Sequence, residues 1–175
     1  MALLIKKFGG TSVGSVEKIK NIARHICDSK ENGNDLVIVV SAMGHSTDQL
    51  NLLAESITNN PTKRELDMLL STGEQVTMAL LAMALNEYGV PAVSMTGSQV
   101  GIITESSHGK ARILDIKTER IQDLIEQGYV VVIAGFQGAS LSHNGSMEIT
   151  TLGRGGSDTS AVALSSALGA EICEI

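Results

Sequence analysis

The stretch Ala2–Ser15, ALLIKKFGGTSVGS, begins with a short apolar run and continues into two lysines, glycines and small polar residues. The run Ala2–Phe8 predicts a β-strand, and the bare turn behind it predicts a place where backbone N–H groups approach an anion. Ser15 is a good N-cap for a helix over Val16–Asn32, whose apolar residues recur with helical spacing. Strand, glycine-rich turn and helix together predict a βα unit that binds a phosphate group.

The rest of the chain repeats this alternation. Further strands are predicted at Leu36–Ala42, Ala92–Met95, Tyr129–Gly135 and Glu171–Ile175. Helical patterns cover Asp48–Asn59, Lys63–Tyr88, Ile116–Gln127 and Asp158–Leu168, with a break expected in the second near Ser71–Gly73. The runs LVIVV and YVVVIAG are continuously apolar, as in strands buried on both faces. The pattern therefore predicts an α/β fold, a three-layer α-β-α sandwich with a mainly parallel sheet.

Glycine, serine and threonine follow each of the first four predicted strands. The stretches are GGTSVGS, SAMGHST, TGSQVG and GFQGAS. In an open parallel sheet these turns lie at the carboxyl edge, where ligands bind. The alternative is that such residues are simply common in turns. Four of them together favour one small-ligand crevice.

Composition excludes several classes of function. The net charge of −6 argues against a nucleic-acid partner. Cys27 and Cys173 have no metal-ligand spacing, which favours reduced thiols and a cytoplasmic location. MALLIKK is too short for a secretory signal, and the apolar stretch TMALLAMAL is shorter than the ~20 residues that span a bilayer, so no membrane partner is expected. The histidines show no ligand spacing: His25, His45, His108 and His143.

Lys7 precedes the glycines at the end of the first predicted strand. The turn is not a Walker loop, because Ser15 and Val16 stand where lysine and serine or threonine are required. A lysine at the strand end can reach over the turn towards a transferring phosphoryl group. The alternative is a solvated surface lysine. Lys6 is expected on the opposite side of the strand, because side chains alternate.

The stretch Thr150–Ser160, TTLGRGGSDTS, is the most specific in the chain. Arg154 offers a planar fork for a carboxylate or phosphate. Ser157 is expected to cap the following helix, which leaves Asp158 free to pair with Lys7 or Mg²⁺. The alternative for Asp158 is an ordinary acid in the first helical turn.

Glu74 lies in the stretch Ser71–Gln75, STGEQ. A glutamate near a helix start usually complements the helix dipole. If the helix breaks here, Glu74 is placed to hold an ammonium group in the crevice instead.

Five motifs occur in a fixed order: KFGGTSVGS, VVSAMGHST, LLSTGEQV, GFQG and TTLGRGGSDTSA. From Lys7 to Ile175 the sequence closely resembles the aspartate kinases of the amino acid kinase family. The resemblance implies phosphoryl transfer from MgATP to the side-chain carboxylate of L-aspartate, giving 4-phospho-L-aspartate for the biosynthesis of lysine, threonine and methionine.

The resemblance also implies roles for individual residues. Lys7 resembles the catalytic lysine, and Asp158 resembles the acid that organises it. ATP is expected to contact Lys7, Phe8, Gly9, Gly10 and Ser41. Aspartate is expected to contact Ser41, Thr47, Glu74, Phe136, Arg154 and Ser157, with Glu74 on the ammonium group and Arg154 on the α-carboxylate. Mg²⁺ is expected to come with ATP, without protein ligands of its own.

Residues 1–175 are expected to form the N-terminal part of the catalytic domain, followed in the family by the rest of the nucleotide subdomain and by ACT regulatory domains. This segment alone is then expected to bind ATP weakly and to turn over little, and the full-length protein is expected to form a homodimer. Two alternatives stay open. One is another carboxylate-phosphorylating kinase, acting for example on glutamate. The other is a non-catalytic assembly or regulatory segment.

Overall fold

The computed structural model describes residues 2–142 and 145–175, so His143 lies outside the described residues. Nine strands are present there: β1 (Leu3–Phe8), β2 (Asp35–Val40), β3 (Ala92–Met95), β4 (Ile102–Thr104), β5 (Ile113–Ile116), β6 (Val130–Ala134), β7 (Gln137–Leu141), β8 (Met147–Thr151) and β9 (Ile172–Glu174). Helices in the same part of the chain are α1 (Val16–Glu31), α2 (Ser46–Ile57), α3 (Lys63–Glu87), α4 (Glu119–Glu126) and α5 (Gly156–Leu168).

The main sheet is entirely parallel and has the strand order β3-β6-β2-β1-β9. These are the strands that the sequence predicted. Their order brings the carboxyl ends of β1, β2 and β6 side by side, because β2 pairs with both of the other two. The turns that follow these strands therefore share one edge of the sheet.

Apolar side chains of the main sheet point alternately to two separate cores. Leu36, Ile38 and Val40 pack with α1 and α3 on one face. Val37 and Val39 pack with α4 and α5 on the other. A strand buried on both faces has no polar side to show in its sequence, which explains its unbroken apolar run. The predicted three-layer α/β sandwich is confirmed.

A second sheet, with the order β5-β4-β7-β8, is absent from the sequence-based prediction. Its strands β7 and β8 form an antiparallel pair, and β4 lies parallel to β7. The stretch GFQGAS, predicted as a loop, instead enters β7 at Gln137. The polar and small residues of β7 form a strand because they are hydrogen-bonded to β8 on one side and to β4 on the other.

Helix α3 runs unbroken from Lys63 to Glu87, so the break predicted near Gly73 is wrong. Gly73 serves close packing instead: a Cβ there would lie 2.9 Å from the Cβ of Ala42. By length and composition this helix could cross a membrane, with a mean hydropathy of 1.4 in its most apolar window. However, 44% of that window is buried in the protein, as in the core helix of a folded domain.

Helix α5 begins at Gly156, two residues earlier than predicted, so Ser157 is not its cap. Gly155 is the N-cap residue, in the left-handed conformation with φ of 71°. Ser157 is therefore inside the first turn and buried. The cap of α1 follows the prediction, because the side chain of Ser15 accepts a hydrogen bond from the N–H of Lys18 at 3.2 Å.

Candidate active site

A cleft of about 760 Å³ opens at the carboxyl edge of the main sheet. It is lined by the turns that follow β1 and β2, by α3, by the β4–β5 loop and by the β8–α5 turn. The turn after β3 was expected to join it, and none of its residues is among those that line the cleft in the described structure. That turn packs instead against β7, where a Cβ on Gly97 would collide with the carbonyl of Gln137.

Lys7 and Asp158 meet at this cleft, as the sequence interpretation required. Lys7 Nζ lies 2.6 Å from Asp158 Oδ1, and Oδ1 is itself buried. Lys7 comes from the end of β1 and Asp158 from the first turn of α5. The neighbouring Lys6 lies on the other side of the strand and pairs with Glu174 at 3.2 Å. Of the two adjacent lysines, Lys7 therefore lies in the cleft, and Lys6 links β1 to β9.

The turn after β1 leaves no room for a side chain at Gly10, while the space at Gly9 is bounded by the end of Lys7. A Cβ on Gly10 would lie 2.8 Å from the carbonyl oxygen of Ala42, and one on Gly9 would lie 3.4 Å from Lys7 Nζ. Gly10 and Ser41 line the cleft. Phe8, predicted to contact ATP, packs its side chain against the α1–α3 core. Any contact of Phe8 with a nucleotide would therefore come from its backbone.

Glu74 is a buried carboxylate with one unpartnered oxygen. Its Oε1 accepts a hydrogen bond from the N–H of Ala42 at 3.1 Å, while its buried Oε2 has no hydrogen-bond partner. Burial raises the pKa of the Glu74 carboxyl from 4.5 to about 7. The residue lies in the middle of α3, so it does not complement a helix dipole. A buried oxygen of this kind at a cleft calls for a cationic or hydrogen-bonding ligand.

Three other residues predicted to bind substrate line the same cleft. Thr47 lies in the first turn of α2, Ser157 is buried in the first turn of α5, and Arg154 is exposed on the turn between β8 and α5. The guanidinium of Arg154, predicted to bind a carboxylate or phosphate, is therefore open to solvent in this structure.

Phe136 occupies an unusual backbone conformation at the cleft. Its φ of 70° is in the left-handed region, which is uncommon for a bulky residue and often marks functional sites. Its N–H donates to Ser160 Oγ at 3.1 Å, and its carbonyl accepts from the N–H of Leu152 at 2.9 Å. The carbonyl can still accept one further bond, so the predicted backbone contact with substrate stays a prediction.

Sequence reasoning missed Asp67 and the role of His108. Asp67 is almost completely buried in α3, and its Oδ2 lies 2.7 Å from His108 Nδ1. Both residues line the cleft. A signal was available, because Asp67 and Glu74 lie seven residues apart on the stripe of α3 that also carries Leu70 and Leu81. A charged residue on a buried helical stripe indicates a specific partner.

The cleft contains basic and acidic groups in equal number. Its basic side chains, histidine aside, are Lys7, Lys63, Lys110 and Arg154, and its acidic ones are Asp48, Asp67, Glu74 and Asp158. No group of three or more His, Cys, Asp or Glu side chains in residues 2–142 and 145–175 is arranged to hold a metal ion. The arrangement suits a ligand that carries charges of both signs.

The chain matches the model of the amino acid kinase family over residues 2–175. It is 61% identical to an aspartokinase of Bacillus sp. (strain MGA3) and 58% identical to one of Geobacillus stearothermophilus, covering all of this chain and 42% of each relative. It thus spans less than half the length of these relatives.

Solved structures agree with this similarity. The crystal structure of aspartate kinase from Synechocystis superposes with a TM-score of 0.83 at 56% identity, over 98% of this chain and 28% of that one. E. coli aspartokinase III in complex with aspartate and ADP gives a TM-score of 0.80 at 23% identity, over 97% of this chain and 48% of that one, and shows the fold alone. On the family match over nearly its whole length, this chain belongs to the amino acid kinase family.

Proposed function

We propose that this chain carries the phosphoryl-transfer and aspartate-binding part of an aspartate kinase. The reaction would move the γ-phosphoryl group of ATP to the side-chain carboxylate of L-aspartate, giving 4-phospho-L-aspartate and ADP. The observation that carries the proposal is one cleft in which the Lys7–Asp158 pair lies beside the buried, unpartnered oxygen of Glu74. The names of relatives at 56–61% identity support it.

Phosphoryl transfer demands positioning and charge neutralisation rather than covalent help from the protein. A carboxylate oxygen of aspartate would form the new P–O bond, while the bond between the γ-phosphorus and the bridging oxygen breaks and ADP leaves. The nucleophile needs no general base, because a side-chain carboxyl with a pKa near ~4 is already ionised at neutral pH.

Lys7 is assigned to the negative charge on the moving phosphoryl group. Its ammonium lies at the mouth of the glycine turn, 2.6 Å from Asp158, which fixes its direction. Gly9 and Gly10 would let backbone N–H groups approach the phosphates, because neither position has a Cβ. Ser41 lines the cleft next to this turn.

Mg²⁺ would reach the cleft on the nucleotide. This ion usually binds substrate phosphates with only one or two carboxylates, and Asp158, a carboxylate of the cleft, is engaged by Lys7. When bound, Mg²⁺ would neutralise charge on the phosphate oxygens.

Recognition of aspartate is assigned to one acidic and one basic side chain of the cleft. Glu74 Oε2 would accept a hydrogen bond from the substrate ammonium, and Arg154 would bind its α-carboxylate. Thr47, Ser157 and the carbonyl of Phe136 would complete the hydrogen bonds. We also place the protein in the cytoplasm, a compartment that suits its two free cysteines, Cys27 and Cys173.

The test is ADP release by the full-length protein with two substrates that each lack one charged group and with one longer substrate. Succinate lacks the ammonium, β-alanine lacks the α-carboxylate, and glutamate is one methylene longer. We expect kcat/KM to fall about 10- to 100-fold for each truncated substrate, the loss typical of one charged hydrogen bond. The penalty for β-alanine should disappear in Arg154→Ala, where no guanidinium is left to lose.

Two outcomes would favour the alternatives. Glutamate used better than aspartate would make the protein another carboxylate-phosphorylating kinase. No ADP release with any acid, despite bound ATP, would favour a non-catalytic assembly or regulatory segment.

A further inference from the structure

Asp67 is a buried carboxylate that the proposed chemistry does not use. It lies on α3 two turns before Glu74, and its relative exposure is only 1%. Removing a carboxylate from water costs several kcal/mol unless it is paired and hydrogen-bonded. Its surroundings must therefore repay that cost with specific bonds.

Within residues 2–142 and 145–175, the hydrogen bonds to the Asp67 carboxylate come from two short segments of the cleft wall. Oδ1 accepts from the Thr151 hydroxyl at 2.6 Å and from the N–H of Gly109 at 3.1 Å. Oδ2 accepts from the N–H of Thr151 at 3.2 Å and lies 2.7 Å from His108 Nδ1. One side chain of α3 thus holds the end of β8 and the turn between β4 and β5.

The two segments are also joined to each other. The N–H of Ala111 donates to the carbonyl of Thr151 at 2.9 Å. Gly153, with φ of 80°, lies so close that a Cβ there would be 3.3 Å from the carbonyl oxygen of Gly109. Asp67 is therefore a buried point on α3 to which both segments of this cleft wall are fixed.

Arg154 follows Thr151 by three residues and lies on the turn that leads from this wall into α5. It is exposed and belongs to a glycine-rich turn. A guanidinium that must meet a small carboxylate gains affinity when its backbone is held in place before binding. The bonds to Asp67 add such restraint at Thr151, just before the turn begins.

We propose that Asp67 is a positioning residue that fixes the segments His108–Gly109 and Thr151–Arg154 as one rigid wall, so that Arg154 is held ready for the α-carboxylate of aspartate. This inference rests on the proposed function, because it assigns Asp67 to the aspartate half of the site. The phosphate half, built from β1 and α5, makes no contact with Asp67 in the bonds described above.

The test compares Asp67→Ala with Asn86→Ala in the full-length protein. Asn86 is on the same helix and holds Ala92 through two side-chain hydrogen bonds, outside the cleft. We expect Asp67→Ala to raise the KM for aspartate by about 10- to 100-fold while the KM for ATP and kcat change by less than about threefold. Asn86→Ala should lower the melting temperature and leave all three kinetic constants near their wild-type values.

A second variant removes the Thr151 hydroxyl, which donates a hydrogen bond to Asp67. Thr151→Val should raise the KM for aspartate on its own and add nothing further in the Asp67→Ala background, because both changes break the same link. It also carries the kinetic test if Asp67→Ala fails to fold. If the increases in the KM for aspartate caused by Asp67→Ala and Thr151→Val simply add in the double variant, the proposal is overturned.

Amide hydrogen exchange gives a readout that does not depend on activity. The amides of Gly109 and Thr151 should exchange faster in Asp67→Ala and keep their wild-type rates in Asn86→Ala. A wild-type protein that does not phosphorylate aspartate overturns the proposed function. A wild-type protein that does so, with an unchanged KM in Asp67→Ala, overturns the role of Asp67 alone.

Discussion

At the scale of single residues, two adjacent lysines on β1 form ion pairs with different partners. Lys7 contacts Asp158 in the cleft, whereas Lys6 pairs with Glu174 on β9. Alternation of side chains along a strand produces this division, and it was predictable from the sequence. It also supplies a matched pair of variants for the catalytic assignment.

We predict that Lys7→Ala lowers kcat of the full-length protein by about 100- to 1,000-fold or more, since it removes a cation aimed at developing charge. Asp158→Ala should behave similarly because Lys7 loses its partner. Lys6→Ala should change kcat by less than about twofold, since it breaks only a partly exposed ion pair. Steady-state kinetics with circular dichroism as a folding check measures all three. A loss of only a few-fold in Lys7→Ala would remove Lys7 from the catalytic role.

Glu74 predicts a dependence of stability on pH. Its pKa is raised to about 7 in the folded protein, above 4.5 for a free glutamate, so between these values the folded state binds more protons than the unfolded state. The free energy of unfolding should therefore fall as the pH rises through this range. At 1.36 kcal/mol per pKa unit the effect is about 3 kcal/mol at most.

Glu74→Gln keeps an acceptor for the N–H of Ala42 and removes the charge. We predict that this variant gains up to about 3 kcal/mol over the wild type in denaturant titrations as the pH rises from 5 to 8. Its kcat/KM for aspartate should nevertheless be lower at pH 8, because the ammonium loses its anion. Glu87→Gln, an exposed change on the same helix, should do neither. A constant difference between Glu74→Gln and wild type across this pH range would contradict the account.

At the scale of elements, the sequence predicted the main sheet and missed the second one. β2, after Asp35, and β6 are each an unbroken apolar run of five residues, a pattern that buried parallel strands impose. β4 has three residues, and β7 reads QGASL, with little of the strand pattern. These strands exist because they pair with one another and pack on the main sheet, and such tertiary support leaves no local signal.

The same distinction holds for the site. Lys7, Glu74, Arg154 and Asp158 belong to motifs, so their presence in one cleft could be anticipated. Asp67 and His108 meet across 41 residues of chain through a helix and a loop, a pairing that depends on tertiary structure. Ser157 was assigned as a cap because its neighbours resembled a cap sequence, although Gly155 in the left-handed conformation fills that position.

The contact between the two sheets gives a prediction at this scale. Gly97→Ala places a Cβ against the carbonyl of Gln137, which is backbone and cannot rotate away. We expect a loss of about 1–3 kcal/mol or more in the free energy of unfolding. Ser98→Ala, in the same turn, should be close to neutral. Equal stability of the two variants by thermal melting would show that the second sheet packs differently.

At the scale of the whole molecule, an acidic chain gathers cations in one cleft. The net charge is −6, yet four of the 13 lysine and arginine residues line the cleft. Carboxylates line it in the same number, so the field inside favours a zwitterion next to a phosphate rather than a polyanion. The chain covers 42% of the aspartokinases it resembles, so activity is to be measured on the full-length protein.

The most direct test is the identity of the product. Full-length protein with ATP, Mg²⁺ and L-aspartate is quenched into hydroxylamine, which converts an acyl phosphate into a stable hydroxamate. The account predicts one β-aspartyl hydroxamate for each ADP formed, with neither product in Lys7→Ala. Release of ADP without the hydroxamate, or an α-aspartyl hydroxamate in its place, would contradict transfer to the side-chain carboxylate.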